Sequence, residues 1–247
     1  VTEAPPARLD LPVLRAVTER AKADENSSTL EGHFSVFDNW FEINSMFEGH
    51  FMERTASGSF KRTFNAFRDA SRPTIHVLFE HGLDPTVGDK PLGRFSSLNE
   101  DRTGASYEAE LFDTPYVNDL LPALRSGIYG SSYRFQVVRD EWDYDPEPSD
   151  FNPDGIPQRT ILEQRVFEAG PTLFPANPAA TANVRSATDW YYEGLRRKDP
   201  KVVETYLERA ISQRTASAPA RTSEDDSRTG TRRTPQAIRQ IYRKYIV

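Results

Sequence analysis

A mainly β fold, an antiparallel barrel-like domain with flanking helices and a helical or disordered C-terminal tail, is predicted by three observations. Short apolar and aromatic runs of strand length recur across residues 30–174, and turn signals rich in Gly, Pro, Asn and Asp separate them. Only two stretches inside that span carry helical spacing. Many short strands with few helices between them favour a closed β domain over an open α/β sheet.

Taken in order, residues 1–28 are polar, hold one short amphipathic run (residues 11–17), and read as an N-terminal extension. Residues 33–37 and 40–43 are aromatic and β-branched, with Asp38-Asn39 as the turn between them. Phe60, Phe64 and Phe67 repeat at helical spacing and predict a helix within residues 51–67. Residues 74–80 predict a strand that breaks at His81-Gly82-Leu83-Asp84-Pro85. Residues 92–95 and 107–112 flank a turn-rich segment, 99–104, and read as a hairpin. In its second arm Tyr107, Ala109 and Leu111 alternate with carboxylates, as in a half-buried strand.

Thr114 then caps a helix that Pro115 opens and Gly127 ends, with Val117, Leu120, Leu121 and Leu124 on one face. Residues 132–138 form a strand, 143–158 a Pro- and Asp-rich loop, and 159–174 a long final strand. In the tail, Asp199-Pro200 starts a helix whose stripe is Val203, Tyr206, Leu207, Ala210 and Ile211. The organisation predicted is an extension (1–28), a folded domain (29–186), a helical extension (187–212), a flexible linker (213–233) and a short amphipathic basic helix (234–247).

Composition narrows the function. The 247 residues are 37% hydrophobic and 11% aromatic, enough for a core, and 18 prolines with 28% charged residues imply solvated connections. With no cysteine, disulfides and thiolate metal sites are excluded, which fits a reducing compartment. No apolar run approaches the roughly 18 residues of a membrane span, and no signal-peptide apolar region opens the chain. It begins at Val1, so a natural start upstream is expected. Charge is uneven: residues 187–247 carry 13 Lys/Arg against 8 Asp/Glu, a balance of +5, which leaves −11 of the total −6 for residues 1–186. A basic tail on an acidic body suits docking on an acidic partner, or a solvated extension.

The chemistry-bearing residues point to a serine nucleophile. A serine hydroxyl needs a neighbouring base, and histidine has the suitable pKa. Four histidines are available: His33, His50, His76 and His81. His33 and His76 lie inside strand-like runs, where packed or rim histidines are common, and His50 lies at a loop or helix approach. His81 stands where a strand gives way to a turn, a place from which side chains enter a cleft. Gly130-Ser131-Ser132 heads a strand and lacks the second glycine of a nucleophile elbow, since Arg134 stands there. By itself it also fits two small residues at a crowded strand start. Glu168 lies in a third strand-like run. No histidines fall at i, i+4 spacing, no zinc-like cluster is present, and residues 143–147 lack the glycine and terminal glutamate of a calcium loop. No metal or cofactor is expected.

Five segments, in order, carry a resemblance: 53–60; 78–82 with 91–94; 111–115; 130–135; and Glu168-Ala169-Gly170-Pro171-Thr172-Leu173-Phe174-Pro175-Ala176-Asn177-Pro178. Together they resemble the prohead (capsid maturation) proteases of tailed bacteriophages, which are similar in fold to the herpesvirus assemblin proteases. The resemblance implies that residues 29–186 are a protease domain, with His81 as base and Ser132 as nucleophile, Ser131 being the lesser candidate. No histidine follows His81, so the second histidine of assemblins has no counterpart. Glu168 is the best-placed orienting group by the phage pattern, with Asp140 and Glu163 as alternatives. Arg134, where the family is often small, would narrow or charge the cleft.

The implied activity is a serine endopeptidase inside the immature capsid in the host cytoplasm. It would cut scaffold or major capsid protein extensions, and itself, before DNA packaging. A homodimer is compatible with this; membrane and nucleic-acid partners are not expected. The competing reading is an inactive scaffold or capsid-assembly protein with the same fold.

Overall fold

Period-2 burial along long strands, with aromatic residues on the inward side, closes this chain into a barrel. The computed structural model describes residues 12–24, 28–45, 47–173, 187–206 and 208. Nine strands are present among them: β1 (Val13–Ala23), β2 (Thr29–Val36), β3 (Phe41–Ser45), β4 (Gly49–Thr55), β5 (His76–Val77), β6 (Gly93–Glu100), β7 (Gly104–Leu111), β8 (Tyr129–Asp143) and β9 (Gln158–Thr172). Three helices flank them: α1 (Lys61–Asp69), α2 (Pro115–Ser126) and α3 (Ala187–Lys198). The barrel runs β9-β5-β6-β7-β2-β1-β8 and closes through the β8–β9 pair, while the β3-β4 hairpin joins outside it on β9.

The predicted barrel is therefore present, with one qualification. β4 and β5 both run parallel to β9, so the sheet is mixed rather than wholly antiparallel. The interior is aromatic: Phe34 meets Tyr133 at 5.0 Å, Phe60 at 5.5 Å and Tyr107 at 6.1 Å between ring centres. Burial pushes the Tyr133 phenol up to about 12. α1 carries Phe64 into this core, and α2 packs Val117 and Leu124 against it. α2 starts and stops at the predicted residues, with Gly127 in the left-handed region after it, but Thr114 precedes it in extended form and its hydroxyl makes no capping hydrogen bond.

Three sequence expectations are corrected. Residues 13–23 are not part of an extension: β1 pairs with both β2 and β8 inside the barrel. Charged Arg15 disguises it, because its partners lie far along the chain. The guanidinium bonds Glu53 through Nε at 2.5 Å and Glu48 through Nη2 at 2.6 Å, all three side chains being buried. The residue 74–80 strand shrinks to two residues, since the backbone leaves extended Leu78 for a tight turn at Phe79–Gly82. Residues 33–37 and 40–43 do not pair across Asp38-Asn39: β2 pairs with its neighbour β1 and with distant β7, and β3 forms a hairpin with β4 instead. His50 accordingly sits in β4, beside Glu42 of β3 at 2.6 Å.

In the tail, Asp199 does cap a further helical segment, accepting the Lys201 and Val202 amides at 3.1 and 3.3 Å. Residues 213–233, residues 234–247 and the Phe174–Pro178 signature lie outside the described residues. No helix among the described residues is long and apolar enough to cross a membrane.

Candidate active site

The site is built where β8 and β9 pair, with Ser132 opposite Gly170 and Arg134 opposite Glu168. Alternation along β8 separates the two adjacent serines. Ser131 lies in phase with Tyr133 and Phe135, faces the barrel interior, and its Oγ lies 3.1 Å from the Tyr107 hydroxyl. Ser132 lies in phase with Arg134 on the outer face, the face that also carries Glu168. Its hydroxyl donates to the carbonyl of Arg15 on β1 at 2.9 Å.

His81 reaches this face through a strained turn. The single 3-10 turn Phe79–Gly82 has Glu80 at φ 48° and His81 at φ 56°, followed by Gly82 at φ 75°. Left-handed backbone at non-glycine residues costs on the order of 1–3 kcal/mol each and persists only where surroundings enforce it. The enforcement here is visible. The Glu80 carboxylate accepts the Thr172 hydroxyl at 2.9 Å and the Leu173 amide at 2.6 Å, pinning the turn to the end of β9. Gly170 lets the chain pass: a Cβ there would stand 2.0 Å from the Leu78 carbonyl oxygen. The residue opposite Ser132 thus has to be glycine for the histidine turn to close over it.

The turn delivers His81 Nδ1 to 2.8 Å from Glu168 Oε1. Arg134 Nε lies 3.4 Å from the same oxygen, whereas Glu168 Oε2 is buried without a hydrogen-bond partner among the described residues. Nδ1–H directed at a carboxylate leaves Nε2 as the basic nitrogen, the arrangement that lets an imidazole take a hydroxyl proton. Exposure is low throughout: 1% for Ser132, 9% for His81 and 1% for Glu168.

The other sequence candidates sit elsewhere. Glu163 pairs with exposed Arg62 at 2.9 Å, and Asp140 accepts the Trp142 indole N–H at 3.2 Å, beside Arg159. His33 meets Asp101 at 2.7 Å on the surface, and His76 is exposed. Among the described residues no group of three His, Cys, Asp or Glu is placed to hold a metal.

Two neighbours of His81 and Glu168 were only partly legible in the sequence or not at all. Arg134, anticipated only as narrowing or charging the cleft, also touches Glu168. α3 covers the histidine: the rings of Trp190 and Tyr191 lie 6.3 and 6.2 Å from the imidazole. Burial, and then Glu168, raise the Tyr191 phenol above its ordinary value, with Arg134 opposing. The run Trp190-Tyr191-Tyr192, aromatic within an otherwise polar tail, was the available signal.

The family model described as caudovirus prohead serine protease matches residues 15–191, from the Arg15 strand to the middle of α3. No curated protein and no solved structure matches the chain.

Proposed function

We propose that this chain, which belongs to the caudovirus prohead serine protease family, cuts its substrates with Ser132 as nucleophile, His81 as base and Glu168 as orienting acid. Membership implies a serine protease of capsid maturation. The observation that carries the residue assignment is the 2.8 Å contact of His81 Nδ1 with Glu168, on the sheet face shared with Ser132.

In this mechanism the Ser132 hydroxyl rotates away from the Arg15 carbonyl toward His81 Nε2. Its proton passes to Nε2 as Oγ bonds the scissile carbonyl carbon. The imidazolium, steadied by Glu168, returns that proton to the leaving amine as the C–N bond breaks. Water then repeats the sequence on the acyl-enzyme: Nε2 takes its proton, and Ser132 leaves as the hydroxyl. Arg134 lies beside the buried carboxylate, its Nε 3.4 Å from Oε1.

The substrates in this reading are extensions of the scaffold or major capsid protein within the procapsid, and the chain itself within residues 213–233. Co-expression with its capsid protein tests the proposal. Ser132→Ala should fold normally and leave the capsid protein at full length. Processing at the wild-type rate in that variant would remove Ser132 from the mechanism.

A further inference from the structure

We propose that α3 is an autoinhibitory lid, seated where a peptide must lie for attack by Ser132; this rests on the assignment of Ser132 and His81 above. A scissile carbonyl has to come within about 3–3.5 Å of the nucleophile. With α3 in place the histidine side of that space is covered. Trp190 and Tyr191 stand against His81, and Arg134 donates to the Tyr191 hydroxyl at 3.2 Å while lying 5.5 Å from its ring centre. On the β1 side, Thr188 Oγ1 accepts the Leu14 amide at 3.0 Å, next to the Arg15 carbonyl that holds the Ser132 hydroxyl. The helix and the strand thus shut the site from two directions.

The lid is separable from the barrel. Its apolar contacts form their own cluster, with Tyr191, Tyr192 and Val203 against Leu14 and Phe47, distinct from the core that fills the barrel. Its other contacts are polar and include Ser45 to Asp189 at 2.6 Å and Arg15 Nη1 to Thr188 Oγ1 at 3.4 Å, both buried, with Tyr192 to the Pro12 carbonyl at 2.7 Å and Lys198 to the Gly82 carbonyl at 2.5 Å. Such satellite elements open at lower free energy than the core.

One contact sets how closely the lid sits. A Cβ on Gly194 would stand 2.7 Å from Leu83 Cδ1, so glycine in this helix, costly for helix formation, lets α3 lie directly on the histidine turn. Leu83 and Gly194 therefore supply both a lock and a wedge. The natural chain has no cysteine, so an L83C/G194C pair forms the sole disulfide.

In the full chain, two reagents report on the site: diethyl pyrocarbonate on His81, which reads exposure without catalysis, and a fluorophosphonate on Ser132, which requires it. The oxidised L83C/G194C protein should resist both. Its reduced form should react at least tenfold faster at both residues, and Gly194→Leu, which wedges the lid, faster than the parent chain. Acceleration at His81 alone would keep the lid and reject the protease assignment. Equal rates for oxidised and reduced protein at both residues would overturn the lid, whatever the fold of Gly194→Leu.

Discussion

Two buried charged clusters share one strand, β9, which supplies Arg159 to the first and Glu168 to the second, and they are built to different standards. In the first, two carboxylates and two guanidinium groups meet: Arg15 with Glu48 and Glu53, and Arg159 with Glu53 at 3.0 Å. Burial works against the Arg15 charge, yet Glu48 and Glu53 raise its pKa well above the ordinary value. Burial likewise pushes the Glu48 carboxyl up, and Arg15 outweighs it, leaving Glu48 below the usual range. In the other, Glu168 crowds His81 and Arg134 onto one oxygen, leaves the second without a partner among the described residues, and depends on a turn with two left-handed residues. The first cluster is neutralised and welds β1 to β4 and β9. Both leave buried polar atoms without a hydrogen-bond partner among the described residues, Arg159 Nη2 in the first and Glu168 Oε2 in the second, but the second alone adds backbone strain, which concentrates where chemistry is done.

The comparison can be broken by substitutions that should separate activity from stability. The largest effect is expected from Glu168→Gln. An orienting carboxylate lost from a triad lowers turnover by about 10⁴-fold, because the imidazole is held in the wrong tautomer. Peptide cleavage by lid-released protein should show this drop while the urea midpoint moves little. A comparable loss of stability would make Glu168 a structural group like Glu53.

Glu53→Gln should do the reverse. Removing one partner of a buried ion pair leaves the other uncompensated and costs about 3–5 kcal/mol. Urea denaturation should register that loss, and surviving folded protein should still acylate at Ser132. An unchanged midpoint would show that the Arg15 cluster does not hold β1 in the barrel.

Acid sharpens the contrast more gently. Glu48 is held below its unfolded pKa, so its stabilising contribution is complete above that value, near 4.3, and fades as pH falls through the lower folded value. Thermal melts of wild type and Glu48→Gln should converge as pH falls below about 4. Parallel curves down to pH 2 would contradict the assignment.

Much of this fold was legible because burial periodicity is local. Tyr133 and Phe135 mark the inward face of β8, although the choice of Ser132 over Ser131 rests on the family pattern, and the structure alone shows Ser131 turned to the Tyr107 hydroxyl. The Thr114-Pro115 start and Gly127 stop of α2 are equally local signals. What escaped depends on partners distant in sequence. Nothing near Arg15 reveals that Glu48 and Glu53 will neutralise it, so a barrel strand reads as an extension. Nothing near Glu80 reveals that Thr172 and Leu173 will hold it left-handed, so the histidine turn reads as the end of a strand. The seat of α3 depends on Leu83 and Gly194, 111 residues apart in number.

The central claim is that the Ser132 hydroxyl and the His81 imidazole act on one carbonyl. A crystal structure of the fluorophosphonate-treated Gly194→Leu protein tests it most directly. Phosphorus should be bonded to Ser132 Oγ, with His81 Nε2 within about 3.2 Å of that oxygen. Phosphorus on Ser131, or an imidazole held out of hydrogen-bond reach of the modified serine, would contradict the account.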